Sequence, residues 1–201
     1  YALYRKYGWI AISVVVLIVA GASFNEWRKA GAQADSEAAG DALLAAFEEA
    51  EADARSDALG AIDPGENAGR AAVTALAEAA ALAEAGDLDA AITILETVAV
   101  DSNAPQVYQE LAALKSVMLG SESTEPEARI SRMNGLVQTG SAFALLALEQ
   151  IALAEIEAGR TDEAIATLRE ILADAQVTQD LRQRATQLIV SLGAPPAALA
   201  E

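Results

Sequence analysis

The pattern of hydrophobic and polar positions divides the chain into one uncharged stretch and a long alanine-rich remainder. No charged residue occurs in the seventeen positions from Gly8 to Phe24, with Arg5-Lys6 before them and Arg28-Lys29 after them. At about 1.5 Å per residue, such a helix extends about 25 Å. It can cross a hydrocarbon core of about 30 Å when flanking basic side chains reach the interface. The pattern therefore predicts one transmembrane helix.

Aromatic, basic and small residues around this stretch add detail. Amphipathic rings and basic groups favour the headgroup layers of a bilayer. The predicted membrane-interface anchors are Tyr4, Arg5, Lys6, Tyr7, Trp9, Trp27, Arg28 and Lys29. Small residues let another transmembrane helix approach closely, although they are also ordinary in such helices. The predicted helix-packing site is Ala20, Gly21, Ala22 and Ser23.

Three other interpretations of the stretch fit less well. A cleaved signal peptide has a shorter apolar core and a small-residue cleavage site. A core helix rarely lacks charge over this length, and an interfacial helix needs a polar face. The basic residues do not decide the orientation of the predicted transmembrane helix, because each of its flanks carries two of them. After Lys29 there are 29 acidic and nine basic residues, a balance that the anionic cytoplasmic leaflet repels. We expect the amino terminus in the cytoplasm and the domain on the other side.

Helical periodicity continues beyond the span and is interrupted by glycine and proline. An apolar stripe (Leu43, Leu44, Phe47, Ala50) predicts an arm over Ala30–Asp57, which the turn Asp63-Pro64-Gly65 closes. Seven more helices are expected, over 68–85, 87–100, 103–119, 124–138, 142–158, 162–174 and 178–192. Asn103 is predicted to cap the third of these, with Pro105 in its first turn, and Thr124-Glu125-Pro126-Glu127 to form a capping box for the fourth. The predicted divisions are 1–29 anchor with flanks, 30–66 juxtamembrane arm and turn, 67–193 repeat domain and 194–201 tail.

An internal repeat appears when the sequence is shifted by 73 residues. Ala85-Gly86-Asp87-Leu88 then falls on Ala158-Gly159-Arg160-Thr161, Leu95 on Leu168, and Gly120 on Gly193. The register holds without a gap, and both copies break at glycine. Helix pairs that repeat in this way stack into an α-solenoid, in which each unit buries its apolar face against its neighbours.

These positions resemble tetratricopeptide repeats. The motif has a glycine and then a small, a large and a small residue in its second helix. The corresponding residues are Gly86, Ala91, Leu95 and Val98 in the first copy and Gly159, Ala164, Leu168 and Ile171 in the second. A small residue lets two helices approach, while a large one fills the space between neighbouring pairs. The chain departs from the motif at Ala75 and Leu82, where aromatic residues are usual, and at Asn103, where proline is usual. The expected fold is all-α: a single N-terminal transmembrane helix followed by a tetratricopeptide-like α-solenoid of helix hairpins.

The chain as a whole also resembles the YfgM-like family of bacterial inner-membrane proteins. The likeness lies in Trp27, Gln33, Ala39–Leu44, Gly140-Ser141-Ala142-Phe143, Leu145–Ala158 and Gln183-Arg184-Ala185. It implies an ancillary subunit of the SecYEG protein-export channel, with one anchoring helix in the inner membrane and the repeat domain in the periplasm. The partners that it implies are an integral membrane complex and the lipid bilayer.

Composition argues against several kinds of chemistry. The chain has no histidine and no cysteine, so the commonest metal ligand, the usual proton carrier near neutral pH and thiolate chemistry are lacking. Basic residues are scattered among carboxylates, which disfavours nucleic acid as a partner. An enzyme that uses paired carboxylates remains a remote hypothesis, although a solvated acidic face explains these carboxylates more simply. The neighbouring carboxylates are Glu48, Glu49, Glu51 and Asp53, and Glu155 and Glu157. We expect no enzyme, metal, cofactor or small-molecule substrate.

Two non-catalytic functions remain open. The first is a membrane-anchored scaffold ancillary to the Sec translocon, and the second is an accessory subunit of another membrane complex, such as a respiratory or photosynthetic assembly. Polar residues that could line a partner groove are Tyr108, Lys115, Arg129, Arg132, Arg182 and Arg184. We expect the arginines to pair with local carboxylates and Tyr108 to lie in the core.

Overall fold

A computed structural model describes residues 26–27, 29–31 and 33–195, and divides the chain into two compact units, Tyr1–Glu48 and Glu49–Glu201. The described residues form helices, turns and loops without a strand, which confirms the all-helical prediction for this part of the chain. The predicted span, Gly8 to Phe24, lies outside them. Within the part that the structure describes, no helix has the length and apolarity needed to cross a bilayer.

In the first unit, described residues 33–48 form helix α1. The prediction of one helix as far as Asp57 was wrong, because the helix ends at Glu48 and residues 49–51 are not helical. A polar contact on the carboxyl side of this break supports the irregular backbone. The Arg55 guanidinium donates to the backbone carbonyl of Glu49 at 3.1 Å. A carbonyl without a helical partner is thereby satisfied.

The second unit contains eight helices among its described residues. They are α2 Ala52–Gly60, α3 Ala68–Ala85, α4 Leu88–Val100, α5 Gln106–Leu119, α6 Pro126–Gln138, α7 Ala144–Glu157, α8 Thr161–Ala173 and α9 Gln179–Ser191. Local signals account for several boundaries. The side chains of Asn67 and Asp87 accept from the N–H groups of Arg70 and Ala90 and so cap α3 and α4. Gly86 ends α3 with a φ of 91°, which an L side chain rarely adopts.

Two predicted helix starts were wrong. Helix α5 begins at Gln106, and Asn103 instead donates its backbone N–H and its side-chain amide to Asp101 Oδ1, at 2.9 and 3.0 Å. Helix α6 begins at Pro126, preceded by Glu125 and without a side-chain cap. Proline disfavours helical backbone in the residue before it, and Glu125 is extended, with φ −53° and ψ 139°. The helix therefore starts at the proline, and the capping box does not form.

The helices of the second unit alternate between two layers. Helix α5 packs against both α3 and α7, so these three helices lie side by side, while α4 and α6 separate them along the chain. Two hydrophobic cores result. The first is built from α3, α4 and α5, the second from α5 to α9, and α5 contributes to both.

The 73-residue repeat appears directly in the helix boundaries. Helices α4 and α8 start at Leu88 and Thr161, and α5 and α9 start at Gln106 and Gln179. A middle copy, which the sequence reasoning missed, lies between the two. Helix α6 starts at Pro126, 38 residues after α4, and α8 starts 35 residues after α6. The second unit thus contains three helix pairs, α3–α4, α5–α6 and α7–α8, between α2 and α9.

Candidate functional site

The motif positions of the second helix in each pair are buried. The large position is occupied by Leu95, Met133 and Leu168, none of which exposes more than 1% of its surface. The following position holds Val98, Leu136 and Ile171, which are also buried. The structure therefore buries the predicted packing residues that lie within the second helices and adds two residues from the middle copy. Gly159 matches Gly86 in its left-handed turn, with a φ of 73°.

The small position breaks the pattern in the middle copy. Ala91 and Ala164 are fully buried, but the equivalent residue of α6 is Arg129, which is 4% exposed. Its guanidinium donates to the carbonyl of Ser121 and pairs with the carboxylate of Glu157 at the end of α7. Its Nε has no hydrogen-bond partner among the residues that the structure describes. A charged side chain thus fills a site where the other two copies hold a methyl group.

Helix α6 packs less closely against α5 than α4 does against α3 or α8 against α7. The loop between α5 and α6 is also longer and runs from residue 120 to residue 125. We attribute the looser packing to Arg129, because a small residue at this position is what lets paired helices approach. The middle pair is therefore the most open of the three.

A second ion pair repeats the geometry of Arg129. Arg55 of α2 pairs with Glu84 at the end of α3. The two residues are 29 positions apart, against 28 for Arg129 and Glu157. Each arginine also donates to a backbone carbonyl just upstream, of Glu49 or Ser121. The Arg55 ion pair thus joins the end of α3 to α2, and the Arg129 ion pair joins the end of α7 to α6.

The outward side of α3, α5 and α7 carries aliphatic residues in register. Offsets of 38 and 35 residues, the same as those of the even helices, relate the members of two rows. Exposed fractions include 50% for Met118, 38% for Leu146 and 40% for Leu153. We call these six positions the repeat face, in which Leu111 is half-buried and the other five are exposed: Val73, Leu111, Leu146, Ala80, Met118 and Leu153. Aliphatic groups exposed in register on neighbouring helices are typical of a surface that a partner covers.

One side of the repeat face is acidic. The same offsets align Glu84 in the last turn of α3, Glu122 in the loop three residues after α5, and Glu157 at the end of α7, and we call these three residues the acidic edge. Carbonyl groups at helix carboxyl ends carry partial negative charge, which basic residues usually offset. None of the helices α2 to α9 has a basic residue in its last turn. No hydrogen bond or ion pair among the described residues involves the Glu122 carboxylate.

At the α9 end, a bidentate ion pair adjoins the repeat face. Arg184 follows Leu146 by the offset of 38 and donates to both oxygens of Glu149, at 2.6 and 2.8 Å. The hydrogen bond to Glu149 raises the pKa of Arg184 above its usual value, so the group stays charged. Because Glu149 is only 8% exposed, this pair satisfies a carboxylate that would otherwise be buried alone.

The other predicted groove residues occupy different places. Tyr108 is half-buried against the first core, as expected, and Lys115 is half-buried between Leu111 and Met118 on α5. Arg132 pairs with Glu96 at 2.8 Å, and Arg182 donates to the carbonyl of Leu172 at 3.2 Å. Only Lys115 and Arg184 therefore adjoin the repeat face.

Two of the carboxylates that left an enzyme hypothesis open, Glu155 and Glu157, engage separate partners. Glu155 accepts a hydrogen bond from Thr167 Oγ1 at 2.8 Å, whereas Glu157 pairs with Arg129. Within the described ranges, no group of three or more acidic side chains is placed to hold a metal ion. The repeat face is a surface suited to contact with a partner. Among the described residues, no set of reactive groups converges on it.

Of the predicted membrane residues, the structure describes Trp27 and Lys29, both of which are exposed. The other interface anchors and the helix-packing site, Ala20 to Ser23, lie outside the described residues. Their roles stay predictions.

A family model for the tetratricopeptide repeat-like domain matches residues 2–136. The chain belongs to this tetratricopeptide repeat-like family. The match ends within α6, but the repeat geometry continues through α7 and α8. No curated protein and no solved structure matches the chain. Domains of the tetratricopeptide repeat-like kind bind protein partners and are typically non-catalytic adaptors, a description that fits the repeat face.

Proposed function

We propose that the protein is a non-catalytic adaptor, tethered to a bacterial inner membrane, that binds protein partners through the repeat face. The observation that carries this proposal is the alignment of exposed aliphatic residues on α3, α5 and α7 of a tetratricopeptide repeat-like domain. Stacked helix pairs present an extended surface built from equivalent positions. A tether raises the local concentration of partners in the same bilayer.

The proposed tether is the uncharged segment Gly8 to Phe24. Its length and its aromatic and basic flanks support a single membrane span. The acidic balance after Lys29 supports a cytoplasmic amino terminus and a repeat domain in the periplasm, away from the anionic leaflet.

In its more specific form, the proposal makes the chain an ancillary subunit of the Sec translocon. The support is the resemblance to the YfgM-like family, which includes Trp27, Gln33 and the segment Gly140 to Phe143. An accessory subunit of a respiratory or photosynthetic complex is the alternative. The small residues Ala20 to Ser23 favour it, because they would allow close packing with a helix of that complex.

The test is a photo-crosslinking amino acid placed at Ala22, followed by purification from native membranes and mass spectrometry. Export-channel subunits as the dominant crosslinks support the translocon form. Respiratory or photosynthetic subunits in fixed stoichiometry support the alternative. A crosslinker at the exposed Val100 of α4 serves as a control for random collisions. The adaptor proposal fails if both positions yield the same unselective products.

A further inference from the structure

We propose that the repeat face binds a cationic, aliphatic segment of a partner protein, with the positive charges of that segment lying along the acidic edge. This inference rests on the proposed adaptor function and deepens it by naming the chemistry of the partner. It draws on three features: the aliphatic rows, the acidic edge and the net charge.

The aliphatic rows define what the segment must bury. Val73, Leu111 and Leu146 form one row, and Ala80, Met118 and Leu153 form the other. Packed helix axes lie about 8–10 Å apart. A segment in the polyproline II conformation covers that distance in about three residues, at about 3.1 Å each, and every third side chain lies on the same face. A complementary segment that crosses the three helices therefore carries an aliphatic side chain at about every third position.

The acidic edge defines the charge of the segment. Glu84 and Glu157 add to the partial negative charge where α3 and α7 end, and Glu122 lies in the loop just after α5. Arg55 and Arg129 offset two of these carboxylates, while the Glu122 carboxylate has no partner among the described residues. Clustering like charges at the negative ends of helices works against stability. Lysine or arginine side chains from a partner would relieve this repulsion.

Net charge also selects among possible occupants. The chain carries a formal net charge of −17, so a second copy would bring the same sign of charge to the face. Like-charge repulsion disfavours that occupant, and an acidic peptide for the same reason. A cationic partner segment is the occupant that complements both the aliphatic rows and the acidic edge.

The test uses the full chain in a non-ionic detergent and three labelled peptides of about 12 residues. The first has leucine at every third position and lysine elsewhere, the second replaces lysine with glutamate, and the third replaces leucine with serine. Fluorescence anisotropy measures affinity. We expect the leucine–lysine peptide to bind at least about tenfold more tightly than either of the others.

Two variants of the face have matched controls elsewhere. Met118→Ser removes an exposed aliphatic group, and its control is Val100→Ser on α4, where the valine is 81% exposed. Glu122→Lys reverses a charge on the edge, and its control is Glu170→Lys near the end of α8. Circular dichroism checks that all four variants fold. We expect about tenfold weaker binding for each face variant and less than about twofold for each control.

Several outcomes would overturn the inference. They are equal binding of the lysine and glutamate peptides, binding of neither, and equal losses from Glu122→Lys and Glu170→Lys. Self-association of the chain that Met118→Ser abolishes would assign the face to a second copy instead. If the peptides fail while Ala22 still crosslinks to specific membrane proteins, the adaptor function stands without this inference. If Ala22 gives only unselective crosslinks while the leucine–lysine peptide binds as expected, the repeat face binds a cationic, aliphatic segment but the membrane-adaptor function fails.

Discussion

The Arg129 guanidinium of α6 pairs with the Glu157 carboxylate of α7 although Arg129 occupies a position that is alanine in the other two helix pairs. The arginine is buried, whereas Glu157 lies at the edge of the repeat face. The pair therefore joins an unusual feature of the core to the proposed binding surface. A partner that contacts Glu157 would also affect the environment of Arg129.

Replacing Glu157 with alanine should destabilise the domain by about 1–3 kcal/mol, because the buried guanidinium loses its carboxylate. Chemical denaturation of the single variant measures this cost. In an Arg129→Met background the same change should cost less than about 0.5 kcal/mol, since no buried charge is left unpaired. Equal costs in the two backgrounds would show that the pair contributes no coupling energy.

The turn at Gly86 should not tolerate a side chain. Gly86→Ala is expected to cost about 1–2 kcal/mol, because the φ of 91° is unfavourable for an L residue. Gly135, inside α6, is the matched control, since an added Cβ there meets no atom within 4 Å. Gly135→Ala should stabilise the protein by about 0.5–1 kcal/mol. Thermal melts of both variants check the two opposite signs.

Two leucines of the third helix pair should separate stability from binding. Leu168→Ala removes a fully buried side chain and should cost about 2–5 kcal/mol. Leu153→Ala, on the repeat face and 40% exposed, should cost about 1 kcal/mol or less but weaken binding of the leucine–lysine peptide. Denaturation and anisotropy, measured on the same samples, distinguish these effects. A large stability loss from Leu153→Ala would place it in the core instead.

Glu78 should make stability depend on pH. Its carboxylate lies against Gly60, and burial raises the pKa of Glu78 above its ordinary value. The folded protein therefore binds the proton more tightly than the unfolded chain does. The stabilisation from protonation is complete below the unfolded pKa and is lost as the pH rises through the folded pKa. Glu78→Gln should raise the melting temperature at neutral pH but not at pH values below the unfolded pKa. A variant equally stabilised at both pH values would contradict this account.

Much of the repeat architecture followed from the sequence because glycine breaks and helical periodicity are local signals. The 73-residue shift aligned Leu95 with Leu168, and both residues are buried. The middle copy escaped notice because its offsets of 38 and 35 are unequal and because Arg129 replaces the expected alanine. A search that allowed gaps and tolerated one charged position would have found Met133 and Leu136 at the motif spacing.

Other features depend on contacts that a sequence does not specify. Nothing local marks the end of α1 at Glu48, where neither proline nor glycine occurs. Thr124 offered a capping box, but the backbone preference that Pro126 imposes on Glu125 prevailed. The arginines of the candidate groove were expected to find carboxylates, and Arg129, Arg132 and Arg184 do so. Which carboxylate each one reaches became clear only from the stacking of the helices.

The loose packing between α5 and α6 has a mechanical consequence. Because α5 packs loosely against α6 but closely against α4, and α6 packs closely against α7, bending deforms this junction more easily than its neighbours, although Leu114 and Val117 of α5 belong to the second core. The curvature of the helix stack can then change while the α3–α4 and α7–α8 pairs keep their close packing. A domain with such a compliant joint can adjust to partners of different shape, and a load applied through it would stretch the joint first.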